Sequence, residues 1–341
     1  MKNWRVQSWE EHKKNILSEL VSCEFLKLIE EADSCKDKIA LKRQVFFDKF
    51  ENTITQDEGA DPLGEDSYAV TPFLIHQYKN RVLLLATGKC FSHCRYCFRK
   101  SYTSRPQDFI KQKEIVKVVE YLKENPNINE ILVSGGDPLT ASIKDLKMLL
   151  YSLREVSEHL LIRICTRAPI FAPSVFSSKL LLLLEKVKPL WVIPHINHPA
   201  ELKESQKKCL ESILKKGIAM QSQTVLLKGV NDDPITLSTL FHTITMLGIK
   251  PGYLFQLDMA YGTSHFRVPL NKALEIWEEV KKELSGLSTP IFAVDMPKGG
   301  GKFPLSVVSF QKGFFYDGKE TITKQDQNKT YTYSTKNDIM S

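Results

Sequence analysis

The 341-residue sequence reads as an α/β chain whose parallel strands curl into a closed or partly closed barrel. Three observations carry that reading. Six short apolar runs recur from residue 82 onward, each about as long as a buried strand. Amphipathic stretches at helical spacing separate them. The polar residues suited to chemistry collect directly after the apolar runs, where strands end and βα loops begin in such a barrel.

Taken in order, residues 1–75 are rich in charge and read as helical, in "EEHKKNILSELVSCEFLKLIEEA" and "ALKRQVFFDKFENTI". They run into "DEGADPLGEDSYAVTP", whose Gly, Pro and Asp content predicts a loop. Strands are expected at "VLLLA" (82–86), "EILVS" (130–134), "LIRIC" (161–165), "LWVIP" (190–194), "QTVLL" (223–227) and "YLFQL" (253–257). Helices are expected at "KQKEIVKVVEYLKEN", at "SIKDLKMLLYSLREV" with Asp145 near its start, and at "ESQKKCLESILKKG". The last of these closes on Gly217, placed as a glycine just past a helix end. Continuous apolar strands alternating with such helices mean βα units around a parallel sheet. The tail "FFYDGKETITKQDQNKTYTYSTKNDIMS" reads as a hairpin around Asp317 and Gly318. The expected regions are thus an N-terminal helical part (1–75), a barrel (76–305) and a C-terminal extension (306–341).

A chain that is 42% hydrophobic and 26% charged has the composition of a soluble globular protein. Its net charge of +7 is interleaved with acidic residues, so no basic face for nucleic acid is expected. "MKNWRVQSWEEHKKNILSEL" lacks the apolar core of a secretory signal. No apolar run approaches the roughly 18 to 20 residues of a membrane span. The expectation is a cytoplasmic protein with reduced thiols. Of its seven cysteines, Cys23, Cys35, Cys165 and Cys209 stand singly and read as small buried hydrophobes.

Cys90, Cys94 and Cys97 are different, because "GKCFSHCRYCFRK" gathers them with no fourth cysteine near. A structural zinc takes four ligands, so these thiols would need His93 or a distant group to complete one. A [4Fe–4S] cluster takes one thiolate per iron, and three thiolates leave one iron open to an outside ligand. Two glycine-bearing segments follow. In "SGGDP" (134–138) the glycines permit close approach of backbone to a ligand. In "VDMPKGGGKFP" three glycines end on Lys302, and a lysine held so can form a Schiff base with an aldehyde cofactor. Such a run also suits a phosphate-binding turn or a plain exposed loop.

The CxxxCxxC spacing, with Tyr96 just before the last cysteine, resembles the signature of radical S-adenosylmethionine enzymes. More of the chain is similar to one family among them. "YKNRVLLLATGKCFSHCRYCFRK", "EILVSGGDPL", "RICTRAPI", "HINHP", "QSQTVLLKGVND", "KPGYLFQLDMAYGTSHFRVP" and "FAVDMPKGGGKFP" resemble the lysine 2,3-aminomutase family, in order, from about residue 70 to 310. The resemblance implies a partial (β/α)6 TIM-like barrel of the radical S-adenosylmethionine type with an N-terminal helical extension. It implies a [4Fe–4S] cluster on Cys90, Cys94 and Cys97. S-adenosylmethionine would be held by Ser134, Gly135, Gly136, Asp137, His195 and Gln223. Pyridoxal 5′-phosphate would be carried on Lys302, with Tyr78 and Arg81 at its phosphate. Gln77 stands where some members have an arginine, which implies a weaker phosphate contact. Arg99 matches the arginine that pairs with the substrate α-carboxylate, and Asp258 and Asp295 match the carboxylates that receive its distal ammonium.

Two facing carboxylates repel and raise each other's pKa. A lysine ammonium between them relieves that repulsion, whereas a glutamate side chain would add a third negative charge, so the pair favours L-lysine. The implied reaction moves the amino group from Cα to Cβ, giving β-lysine, with a flavodoxin or ferredoxin as electron donor and a homo-oligomer as the assembly. Two alternatives keep the same chemistry: supply of (R)-β-lysine for elongation factor P modification, or action on another amino acid.

Overall fold

In a βα barrel each strand packs one face under the helices and turns the other to the interior, so its strands are largely apolar, and the expected runs fit that demand. In the computed structural model, which describes residues 17–103, 108–305, 314–316, 321–326 and 329–335, they become β3 to β8 of a ten-stranded sheet whose strands pair in chain order. The two edge strands β1 (Ala69–Thr71) and β2 (Leu74–Tyr78) come first and are antiparallel. Then follow β3 (Arg81–Thr87), β4 (Glu130–Gly135), β5 (Leu161–Thr166), β6 (Leu190–Pro194), β7 (Ala219–Val225), β8 (Lys250–Phe255) and β9 (Ile291–Met296), all parallel. The antiparallel β10 (Gly301–Pro304) ends the sheet. Among the described residues no ladder joins β1 to β10, so the barrel is partial.

The parallel set therefore holds a seventh strand beyond the six expected, and the stretch before β3 carries strands instead of loop alone. β7 and β8 also begin earlier than the apolar runs. In β7 buried Met220, Ser222 and Thr224 alternate with half-buried Gln221 and Gln223, so a continuous-apolar template enters that strand too late.

Helices cover the sheet: α1 (Cys23–Glu30), α2 (Cys35–Arg43), α3 (Lys100–Thr103), α4 (Gln112–Glu124), α5 (Ile143–Val156), α6 (Ala168–Phe171), α7 (Ser178–Lys186), α8 (Glu204–Lys215), α9 (Pro234–Met246) and α10 (Leu270–Glu283). In α5 the Ser142 hydroxyl accepts the Asp145 N–H, and Leu146, Leu149, Leu150 and Leu153 form one buried stripe. Each such leucine contributes about 1.5–3 kcal/mol. Gly217 takes its positive φ of 64° after α8, as expected.

The N-terminal segment lies against the cysteine loop. The His93 N–H donates to Leu20 O at 2.8 Å and the Arg95 N–H to Gln44 O at 2.9 Å. Cys23 and Cys35 correct the sequence reading. They are exposed, because each opens a short helix on its solvent side, while Cys209 is buried and Cys165 intermediate. All seven cysteines are free thiols. At the other end, β11 (Phe314–Tyr316), β12 (Thr321–Asp326) and β13 (Lys329–Ser334) form a three-stranded antiparallel sheet. The Asp317–Gly318 turn lies outside the described residues. Buried Tyr333 donates its hydroxyl to Leu257 O at 2.8 Å, which ties this sheet to the loop after β8. Among the described residues no helix is long and apolar enough to cross a membrane.

Candidate active site

The loop after β3 carries the three thiols, each partly accessible. Burial, then the charge of Cys97, holds the Cys90 thiol well above its ordinary range, and burial pushes Cys97 up to about 11. Crowded so, Cys90 and Cys97 hold their protons until a bound cation compensates the thiolate charge. Among the described residues no three His, Cys, Asp or Glu side chains converge to hold one metal ion. A cluster asks for something else, one thiolate per separate iron, and three neighbouring thiols on one loop suit it. His93 is engaged elsewhere through Nδ1, which lies 2.8 Å from Ser18 O.

"SGGDP" sits at the end of β4, beside the start of that loop. A Cβ on Gly136 would stand 2.2 Å from Lys89 O, and Gly135 has a φ of 112° and lies against Thr87 O. The pair is glycine because the backbone of residues 87–89 occupies the space a side chain would need. Two bonds follow from this contact, Gly136 N–H to Thr87 O at 2.6 Å and Asp137 N–H to Lys89 O at 2.7 Å. Asp137 is fully engaged by protein: its carboxylate accepts from the Thr166 hydroxyl at 2.8 Å, the Arg167 N–H at 2.8 Å and the Leu139 N–H at 3.0 Å. His195 and Gln223 meet across an isolated bridge between the ends of β6 and β7. His195 Nε2 lies 3.2 Å from the Tyr96 hydroxyl, and burial lowers its pKa to about 3, so the ring is neutral.

The far side of the barrel mouth gathers the charged residues. β9 and β10 pair Asp295 with Lys302 in register, and the Lys302 ammonium stands 2.9 Å from each Asp295 oxygen. It also lies 3.9 Å from the Phe255 ring centroid. Burial first, and then the negative charge of Asp295, raises the Asp258 carboxyl well above its ordinary range, while Lys302 and Arg99 pull the other way. Asp258, Asp295, Lys302 and Arg99 therefore share one electrostatic neighbourhood. The Tyr78 ring lies 3.8 Å from the Arg81 guanidinium, and the Gln77 amide donates to Gly299 O at 3.2 Å, which pins the glycine loop that leads to Lys302.

Sequence reading missed Glu65. Its carboxylate binds Arg99 through two bonds, from Nε at 3.0 Å and from Nη2 at 2.5 Å, with both side chains largely buried. It also missed the polar groups packed behind Tyr96, namely Gln44, Arg167, Asn197 and Glu201. Position relative to strand ends was the one signal for Arg167 and Asn197, which stand in "TRAP" and "HINHP". Gln44 and Glu65 carry no such mark.

A partial βα barrel that offers three thiols after its first parallel strand and a glycine pair after its second defines a radical S-adenosylmethionine protein, and the Radical SAM superfamily matches residues 84–238. The chain is 52% identical over 310 residues to a Treponema pallidum (strain Nichols) protein named "Putative L-lysine 2,3-aminomutase", covering 91% of this chain and 87% of that one. It is 38% identical to the L-lysine 2,3-aminomutase of Fusobacterium nucleatum, over 72% of this chain and 58% of that longer one. It is 32% identical to the glutamate 2,3-aminomutase of Clostridioides difficile (strain 630), over 84% of this chain and 67% of that one. The chain belongs to the lysine 2,3-aminomutase family, isomerases whose cofactors are a [4Fe–4S] cluster, S-adenosylmethionine and pyridoxal 5′-phosphate.

Proposed function

We propose that this radical S-adenosylmethionine aminomutase acts on L-lysine and moves its amino group from Cα to Cβ. The observation that carries the choice of substrate is the carboxylate pair. Asp258 is held protonated-prone by burial and by Asp295, and a cation placed between the two relieves both effects. The distal ammonium of lysine supplies that cation; the carboxylate of glutamate does not. At the other end of the substrate, Arg99 keeps its Nη1 edge directed towards Ser134, 3.5 Å away, while Glu65 holds the Nε side. That edge, turned away from Glu65 and held by a long contact to the Ser134 hydroxyl, suits the substrate α-carboxylate.

The remaining roles follow from position. Cys90, Cys94 and Cys97 are proposed to hold the cluster. Ser134, Gly135, Gly136, His195 and Gln223 are proposed to line the S-adenosylmethionine site, with neutral His195 able to accept or donate a hydrogen bond without adding charge. Asp137 is assigned to shaping that loop, since its acceptors are already met by protein donors. Lys302 is proposed to carry pyridoxal phosphate, with Tyr78 and Arg81 at its phosphate. When bound, the cluster with S-adenosylmethionine supplies a carbon radical strong enough to take a hydrogen atom from Cβ, and pyridoxal phosphate supplies a π-system through which nitrogen can migrate. The N-terminal segment packed on the cysteine loop serves to keep water and stray reductants from that chemistry. A low-potential one-electron donor, of the flavodoxin or ferredoxin class, completes the system.

The test is anaerobic: protein reconstituted with iron, sulfide and pyridoxal phosphate, then given dithionite, S-adenosylmethionine and L-lysine, with β-lysine and 5′-deoxyadenosine measured. β-Lysine is the expected product, and its handedness separates a free-standing role from supply of (R)-β-lysine to elongation factor P. Deoxyadenosine formed without β-lysine would overturn the choice of substrate and leave the reaction class standing.

A further inference from the structure

Arg167 opens the turn after β5 and is buried, with 6% of its surface exposed. Its Nη1 lies 3.0 Å from Cys94 Sγ and 2.5 Å from the Tyr96 hydroxyl oxygen. Its Nη2 donates to Gln44 Oε1 at 2.5 Å and to Glu201 Oε1 at 2.9 Å. The Gln44 amide donates to the same Glu201 oxygen at 2.8 Å. Asn197 Nδ2 donates to Tyr96 at 2.6 Å and to Gln44 Oε1 at 3.1 Å, and the Asn197 N–H reaches Glu201 Oε2 at 3.1 Å. The Phe171 ring centroid lies 4.2 Å from the guanidinium carbon. One N–H of a clamped, desolvated cation is thereby aimed at a sulfur. The other two thiols of the loop are met differently: Cys90 by the backbone N–H of Asp137 and Cys97 by that of Arg99.

We propose that Arg167 sets the reduction potential of the cluster, raising it through its charged hydrogen bond to Cys94; this rests on the reading of Cys94 as a cluster ligand. One-electron reduction, with the electron from an external low-potential donor, makes the cluster and its thiolates one charge more negative. No bond forms or breaks and no proton is required. A fixed cation and an N–H···S bond stabilise the more negative state more than the oxidised one, and hydrogen bonds to cluster sulfurs are among the main determinants of such potentials. Burial matters here because water would otherwise screen the charge. Arg167 is thus a positioning and tuning residue, and the planar fork that spans Cys94, Tyr96, Gln44 and Glu201 is a demand lysine cannot meet.

The experiment is an EPR-monitored redox titration of anaerobically reconstituted wild type, Arg167→Lys, and the double variant Arg167→Met with Glu201→Gln, which avoids stranding a buried carboxylate. The expected result is a fall of at least tenfold in the equilibrium constant for reduction of the double variant, about 59 mV, at wild-type iron and sulfide content, with Arg167→Lys between the two. An unchanged potential on a full cluster overturns the inference. A measurement on the wild type alone guards against variants that do not take up a cluster. With arginine labelled by heavy nitrogen, the reduced cluster should show a nitrogen hyperfine coupling in pulsed EPR, and its absence overturns the inference as well. A wild type that takes up no iron and sulfide fails at the earlier step and overturns the cluster reading with it.

Discussion

Asp295 and Lys302 face each other across the ladder of β9 and β10, with the Lys302 ammonium 2.9 Å from both carboxylate oxygens. Residues paired directly across an antiparallel ladder share a face of the sheet, so this contact is fixed by register. It gives two proposed binding groups a single resting state: each neutralises the other until cofactor claims the lysine and substrate claims the carboxylate.

Lys302→Ala should therefore abolish the visible band that pyridoxal phosphate gains on capture by a lysine amine, at unchanged iron content. Persistence of the band in a folded variant would move that role to another lysine. Asp295→Asn should keep the band and lose turnover of lysine by about tenfold or more, somewhat under the roughly 2–5 kcal/mol for truncating one partner of a buried charge pair, because the Asp295 carboxylate is half-buried. Steady-state kinetics on the loaded enzyme checks the second expectation.

Glu65 and Arg99 make the second test. Both are largely buried, and breaking such a pair by removing one partner costs about 3–5 kcal/mol. Glu65→Gln should lower the thermal unfolding midpoint accordingly. Because Arg99 is then short of a carboxylate, added L-lysine should raise the midpoint of the variant more than that of wild type. An equal effect on both proteins would mean that the substrate carboxylate does not reach Arg99.

Asp258 carries the opposite sign. Its folded pKa stands above the ordinary 3.8, because of burial and then Asp295. A group raised in the fold contributes stability below its unfolded pKa, and that contribution is lost as pH rises through the folded value. At neutral pH Asp258 is therefore a burden to the empty protein. Asp258→Asn should raise the unfolding midpoint at neutral pH, with the gain shrinking as pH falls towards 3.8. The same substitution should weaken lysine. In wild type KM for lysine should fall as pH rises through the Asp258 pKa, since the ammonium pairs with the ionised carboxylate, and in the variant that trend should vanish.

Strands and the cysteine loop were legible because each is a local pattern. An apolar run such as "EILVS" announces its own burial, and Cys90, Cys94 and Cys97 announce a site by spacing alone. Lys302 was legible as chemistry but not as half of a pair, because its partner Asp295 is set by a hairpin whose turn runs from Pro297 to Gly300. Glu65 was not legible at all. It meets Arg99 across 34 residues, from the start of a single 3-10 turn (Glu65–Tyr68) too short to show a period, and an acidic residue in a Gly/Pro/Asp stretch reads as solvated. The Gln44–Arg167–Asn197–Glu201 network was hidden for the same reason, as its members come from separate elements that only the folded barrel brings together.

Acid stability gives the last test. Burial lowers the pKa of His195 to about 3, with the Arg167 charge adding to the effect, and that of His265 to about 4; both stand at 6.5 when exposed. Burial lowers His93 and His198 as well. Below pH 6.5 the unfolded chain binds protons that the folded chain refuses, so the stability these rings contribute is present above 6.5 and lost as pH falls through their folded values. Each ring adds a slope of about 1.4 kcal/mol per pH unit within its window. Urea unfolding at a series of pH values should show stability declining from 6.5 downward. His265 is the ring to remove, because both of its nitrogens are buried without a hydrogen-bond partner among the described residues and neutral glutamine can take its place without titrating. His265→Gln should flatten the slope between 6.5 and 4 by one proton, about 1.4 kcal/mol per pH unit. An unchanged slope would show that the ring titrates normally in the folded protein, and that water reaches it.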